Sequence, residues 1–199
     1  MPGAVIAFSP PSEIASPMVH TMFAYWHGKS AGRMAPHPRD IEPGELKRLL
    51  PYIVISDVLL DPLDLRFRLV GTGIVEAIGY DFTGKRFSEM PVTTGTERWL
   101  AHYGRVVQRK GPHYGRYRGE LGPDSLRVVD HGAFPLSNDG DSVHRIIEIE
   151  DWSGIRGVSL GKLDLPVWHF HPLTSDGETN KLSADIAQGR GLPRNEPGA

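Results

Sequence analysis

"LVGTGIVEAIGYDFTGKRF", Leu69 to Phe87, is the stretch whose reading decides the fold. Two glycines one residue apart, an apolar run of helical spacing and then Gly79 give it the outline of a nucleotide-binding turn. The dinucleotide fingerprint needs glycine at its first, third and sixth places, the last so that helix and strand pack closely. Gly71 and Gly73 fit, but the sixth place is Glu76, whose carboxylate repels phosphate and blocks that packing. A P-loop needs Gly-Lys-Ser/Thr, and here Gly84-Lys85 is followed by Arg86. The stretch therefore reads as the end of a strand followed by a short helix. Thr72 is expected to cap that helix, which runs through Ile74, Val75 and Ile78, and Gly79 to end it with a left-handed residue. On this reading the glycines are punctuation.

Strands flank it. "YIVISDVLL", Tyr52 to Leu60, is rich in β-branched residues, "DPLD" turns the chain, and "LRFRLVG" alternates apolar with basic positions. Upstream, Ser16 can cap a helix with Pro17 in its first turn and Val19, Phe23 and Trp26 on one side. "EPGELKRLL", Glu42 to Leu50, reads as a short helix stopped by Pro51. Downstream, Thr94 and Glu97 have capping-box spacing for a longer helix through Trp99, Leu100, Tyr103, Val106 and Val107 to Gly111-Pro112. Three more strands start at His113, Leu126 and Val143, joined by "GPD" and "SNDGD" turns suited to hairpins. Two strands, a helical insert and a three-stranded meander predict an α+β domain: a five-stranded antiparallel sheet with helices on one face, plus an N-terminal helix. Residues 1–15 read as a flexible lead, 16–155 as the domain, and 156–199 as a polar, largely flexible tail with few large apolar residues.

Composition narrows the function classes. The 199 residues suit one domain with extensions, and 22 Lys plus Arg against 24 Asp plus Glu give no positive excess to draw nucleic acid or anionic lipid. Neither nucleic acid nor membrane is an expected partner. The chain has no cysteine, which removes disulfides, thiolate metal sites and a thiol nucleophile. No stretch is long enough to span a bilayer, and no basic-flanked apolar leader is present, so a cytoplasmic setting is expected.

The order of elements resembles a PAS sensor domain. "AIGYDFTGKRFSEM" is similar to the helical PAS segment in which a Gly-Tyr pair is followed by an Ile- or Thr-Gly-Lys/Arg step. More narrowly, Tyr25-Trp26, "IEPGELKRLLPYIVISDV", "RFRLVGTGIVEAIGYDFTGKRF" and "FPLSNDGDSVHRII" resemble the alphaproteobacterial single-PAS family PAS_5, once a domain of unknown function. The resemblance runs from Met22 to Asp151. It implies a PAS-like fold that encloses a ligand or presents a pairing surface, and hence sensing or regulated association, without naming a ligand. No kinase, cyclase or receiver segment accompanies it here, so the expected output is contact with a protein partner in trans. Lacking cysteine, the chain is excluded from the flavin-adduct and thioester chemistry of some PAS proteins, and no cofactor is assigned.

Aromatic walls with a few polar tips suit a small-molecule cavity, and Trp99, His102, Tyr103, Tyr117 and His131 are the expected lining. His131 shares a strand face with Val129 and Ala133, and His102 lies one helical turn from Trp99 and Val106. His169 and His171 in "WHFHP" share a strand face, but two ligands make no structural site, and no metal is assigned. Arg66, Arg68, Arg116 and Arg118 alternate with apolar residues and read as a charged outer face, with an anion-binding pocket as the alternative. Glu148 and Glu150 alternate with Ile147 and Ile149 and read as a solvated outer face. No nucleophile elbow or HExxH motif is present, so no catalytic residue is assigned. The preferred expectation is a non-catalytic sensory module. The alternative is an interaction module without a ligand, pairing with a second copy through the N-terminal helix and the exposed sheet face.

Overall fold

The computed structural model describes residues 14–90, 96–120, 126–153 and 171–172. Ser16 starts the first helix, α1 (Pro17–Ser30), as its side chain accepts from the Val19 amide at 3.4 Å. Ala31 ends it in the left-handed region. The "EPGELKRLL" segment departs from expectation: it forms consecutive tight turns, not a helix. Three of its bonds span three residues, from Glu45 N to the Glu42 carbonyl, Leu46 N to Pro43 and Leu49 N to Leu46, and one spans four, from Leu50 N to Leu46. Three-residue spacing puts Leu46 and Leu49 on one side, where both are buried, and Pro43 and Gly44 weaken any α-helical start.

The strands follow the predicted order: β1 (Ile53–Leu59), β2 (Asp64–Val70), β3 (His113–Glu120), β4 (Leu126–Leu136) and β5 (Arg145–Glu150). Between β2 and β3 lie α2 (Thr72–Ile78) and α3 (Thr96–Arg109). All strand pairs are antiparallel in the order β2-β1-β5-β4-β3, and a two-residue edge strand, β6 (His171–Pro172), adds to β3. The predicted capping residue Thr94 lies outside the described residues.

Gly71, not Thr72, is the N-cap of α2, and Gly79 closes it at φ 74° as expected. Gly71 and Gly73 are close-approach glycines, not punctuation. A Cβ on Gly71 would lie 2.3 Å from the Pro51 carbonyl oxygen, and one on Gly73 would lie 2.8 Å from the Tyr52 ring. The start of α2 is thus packed against Pro51-Tyr52, and Gly71 N donates to the Ile53 carbonyl at 2.8 Å. That contact leaves no room for a phosphate.

Period-two alternation sends side chains to two faces, and both are covered. On one face Ile53, Phe134, Leu136, Ile147 and Ile149 pack against Val19, Met22 and Trp26 of α1 and against Leu46 and Leu49. Trp26 also donates its indole N–H to the Pro135 carbonyl at 2.7 Å. On the other face Val54, Leu65, Phe67, Val129, Ala133 and Ile146 meet Ile74 of α2 and Trp99, Tyr103 and Val106 of α3. Each large apolar side chain so buried contributes about 1.5–3 kcal/mol.

Asp130 on β4 fastens the entry of α1. Its carboxylate accepts from the Ala15 and Ser16 amides at 2.8 and 2.9 Å and is gripped by Arg116 at 2.6 and 3.3 Å. Burial raises the carboxyl pKa, but the Arg116 guanidinium and the two amides outweigh it and hold the group below its ordinary 3.8. A depressed carboxyl stabilises the fold above its unfolded pKa, and the contribution fades as pH falls through the folded value. Asp130→Asn is expected to cost about 2 kcal/mol at pH 6. In denaturant melts the gap to the unsubstituted protein should narrow as pH falls below about 4; a gap unchanged down to pH 2.5 contradicts this role.

Candidate functional site

α3 presents Trp99, His102, Tyr103 and Val106 to the sheet at i, i+3, i+4 and i+7, and all four are buried. Beneath them lie β3, β4 and β5. Cross-strand register puts His113 opposite Ala133, Ala133 opposite Glu148, Gly115 opposite His131 and His131 opposite Glu150. His131 and Glu148 are therefore diagonal neighbours on the α3 side of the sheet.

This corrects the reading of Glu148 and Glu150 as a solvated outer face. Glu148 is 2 % exposed and Glu150 8 %, because helices cover both sides of the central strands. A carboxylate so buried must be met by donors. Tyr103 donates its hydroxyl to Glu148 Oε2 at 2.9 Å, His131 Nδ1 lies 3.0 Å from Glu148 Oε1, and the Trp152 indole N–H donates to Glu150 Oε2 at 2.8 Å. Burial, and then the charges of Glu148 and Glu150, push the Tyr103 phenol well above its usual pKa, so it stays a donor.

A second chain of contacts starts at Arg105, also buried on α3. Arg105 Nη1 lies 3.3 Å from His113 Nε2, and His113 Nδ1 lies 2.6 Å from His102 Nδ1. Arginine only donates, so His113 Nε2 accepts; a neutral His113 then carries its proton on Nδ1 and donates it to His102. Burial, followed by the charges of His131, His113 and Arg105, holds His102 well below the ordinary histidine range, so it is neutral near pH 7. Its Nδ1 accepts, so its proton is on Nε2. That Nε2 is buried and has no hydrogen-bond partner among the described residues. The chain ends in an unmet donor, which costs about 1–3 kcal/mol when left so.

Rings pack the space around it. Trp99 stacks on Tyr103 with centroids 5.6 Å apart and tilts toward His131 at 5.1 Å, while His102 meets His131 edge-on at 4.5 Å. His102, His131 and Glu148 each turn a ligand-type atom toward the others, all within 4.8 Å.

Of the five residues expected from sequence to form one lining, Trp99, His102, Tyr103 and His131 come together. Tyr117 pairs through its backbone with Val129, and its side chain lies outside what the structure describes. The sequence reading missed Arg105, His113 and Glu148. Glu148 was recoverable: its strand carries Ile146 and Ile147 on opposite faces, and the chain has two amphipathic helices to cover one sheet. The arginines form no shared anion pocket among the described residues: Arg68 pairs with Asp57 and Arg116 with Asp130. The side chain of Arg118, and all of His169, lie outside the described residues.

His131 can occupy its place because Gly115 has no side chain. A Cβ there would lie 2.3 Å from His131 Nε2. Gly115→Ala should push the imidazole off Glu148 and cost about 2 kcal/mol by overpacking, read by thermal unfolding and by the ring resonances of His131. An unshifted His131 and unchanged stability would contradict this arrangement.

The family model described as PAS domain, PAS_5, matches residues 14–121, more than half of the chain. No curated protein matches it at a significant level. No helix among the described residues is long and apolar enough to cross a membrane.

Proposed function

Because this chain belongs to the PAS_5 family of PAS domains, we propose that it is a non-catalytic cytoplasmic sensory module that takes up a small ligand beneath α3 and passes the signal to a protein partner in trans. The observation that carries the reading is the unmet Nε2–H of His102 at the end of the contacts from Arg105 through His113, beside the hydrogen-bonded group of His131, Glu148 and Tyr103. Stability alone gives no reason to bury a donor without an acceptor, whereas a ligand that satisfies it gains binding energy from that same deficit. The network ties α3 to three strands. A ligand that prefers one arrangement of these groups shifts the population of α3 positions, and that shift is what a partner can read.

The competing reading, an interaction module without a ligand, pairs through the exposed sheet face and the N-terminal helix, with Phe23 and Trp26 as the helix's anchors. Trp26 is buried with Val19 and Met22 against the molecule's own sheet, and Phe23 packs half-buried against the same cluster. The exposed large apolar side chains among the described residues are Leu60 in a turn, Leu69 on β2 and Val128 on β4. β2 and β4 are separated by β1 and β5, so these side chains form no single patch of the kind that marks an interface.

Native mass spectrometry of the purified protein tests the proposal. The expected result is a reproducible, stoichiometric mass above that of the polypeptide, lost in His102→Ala. A bare polypeptide that stays bare when offered the small-molecule fraction of its expression host would overturn it.

A further inference from the structure

We propose that His102, His131 and Glu148 form a binding site for a first-row divalent transition metal ion of the Zn²⁺/Fe²⁺ class. The inference rests on the sensory reading above and deepens it by naming the ligand. Three observations carry it: the three side chains are buried together with ligand-type atoms within 4.8 Å of one another, His102 Nε2 has no described partner, and rings pack the surrounding space. Such packing suits an ion better than a bulky organic molecule.

The geometry is close to what a metal needs. Zn–N and Zn–O bonds of about 2.0–2.2 Å on a tetrahedron put ligand atoms about 3.4 Å apart. His131 Nδ1 and Glu148 Oε1 are already 3.0 Å apart, held by one proton in the position that a cation would take. The widest pair, at up to 4.8 Å, needs to close by about 1.4 Å. Two imidazole nitrogens and one carboxylate oxygen favour zinc or iron over magnesium or calcium, and they leave coordination positions for water or a small exogenous ligand. The groups behind the ligands are also those of a built metal site. Tyr103 donates to Glu148 Oε2, and His113 holds His102 Nδ1.

Binding also has a route outward. His102 must offer a lone pair at Nε2, so its proton moves to Nδ1, where it donates to His113 Nδ1. His113 then carries its own proton on Nε2, facing the Arg105 Nη1 donor now 3.3 Å away. Two donors repel, and Arg105 must turn from His113. His131 likewise carries its proton on Nε2 instead of Nδ1, which frees the Nδ1 lone pair for the ion, so all three rings stay neutral and no proton is released. The ion is read at one end of the chain and Arg105 moves at the other.

Co²⁺ titration of the tag-free full chain, followed by its visible d–d absorption and competed with Zn²⁺, tests the site. One equivalent should bind with four- or five-coordinate bands in the unsubstituted protein and in His27→Ala, a control at an exposed histidine far along the sequence on α1. His102→Ala and Glu148→Gln should weaken it beyond the roughly 10–100-fold that loss of an outer-shell partner costs. Circular dichroism establishes that each variant is folded, and the conservative Glu148→Gln serves if His102→Ala is not. Failure to bind one saturable equivalent, or binding unchanged in the folded variants, overturns the proposal. A co-purifying organic molecule that needs His102, without Co²⁺ binding, overturns the metal and keeps the sensor; bare protein and no Co²⁺ binding overturn both.

Discussion

A carboxylate that is 2 % exposed at the centre of a sheet constrains everything around it. Glu148 has water on neither side, and an unpaired buried charge costs more than a domain of this size can spare. Both of its oxygens are therefore occupied, one by Tyr103 from α3 and the other by His131 from β4. Those two bonds fix where α3 crosses the sheet and which way the His131 ring faces. Gly115 follows from them, since only a residue without Cβ lets that ring lie against β3. Trp99 follows too, closing over Tyr103 and His131.

With Glu148 answered, the polar groups left over define the site. The contact from Arg105 to His113 to His102 is directional, because its first member can only donate. Each bond along it fixes the next proton, and the last proton lands on a nitrogen with no described partner. The same connectivity lets an event at His102 be felt at Arg105, on the helix that covers the sheet.

Much of the fold was legible in the sequence, because the signals were local. Ser16-Pro17, the β-branched run before "DPLD", and Gly79 act within a few residues of themselves, and the strands and α1 lie where those signals put them. The error at "EPGELKRLL" was also local: the leucine spacing fits a tight turn as well as a helix, and the tertiary burial of Leu46 and Leu49 decided between them. The site was half legible. Trp99, His102, Tyr103 and His131 could be grouped by periodicity on a helix and a strand face, whereas the alternation of Glu148 and Glu150 with Ile147 and Ile149 points to one wet face, and only Ile146, on the same face as the two acids, signals that this face is covered as well. Gly71 and Gly73 show the same limit. Their neighbour is Pro51-Tyr52, reached only once β1 and β2 have paired, so no spacing within the glycine stretch reveals it.

The central claim is that a chain of proton donation runs from Arg105 through His113 and ends at an unmet donor on His102. Long-range proton–nitrogen correlation spectra of the histidine rings in the metal-free, ligand-free protein at pH 7 test it directly. The account predicts His113 protonated at Nδ1 and His102 protonated at Nε2 alone. A His102 ring protonated at Nδ1, or at both nitrogens, would contradict it.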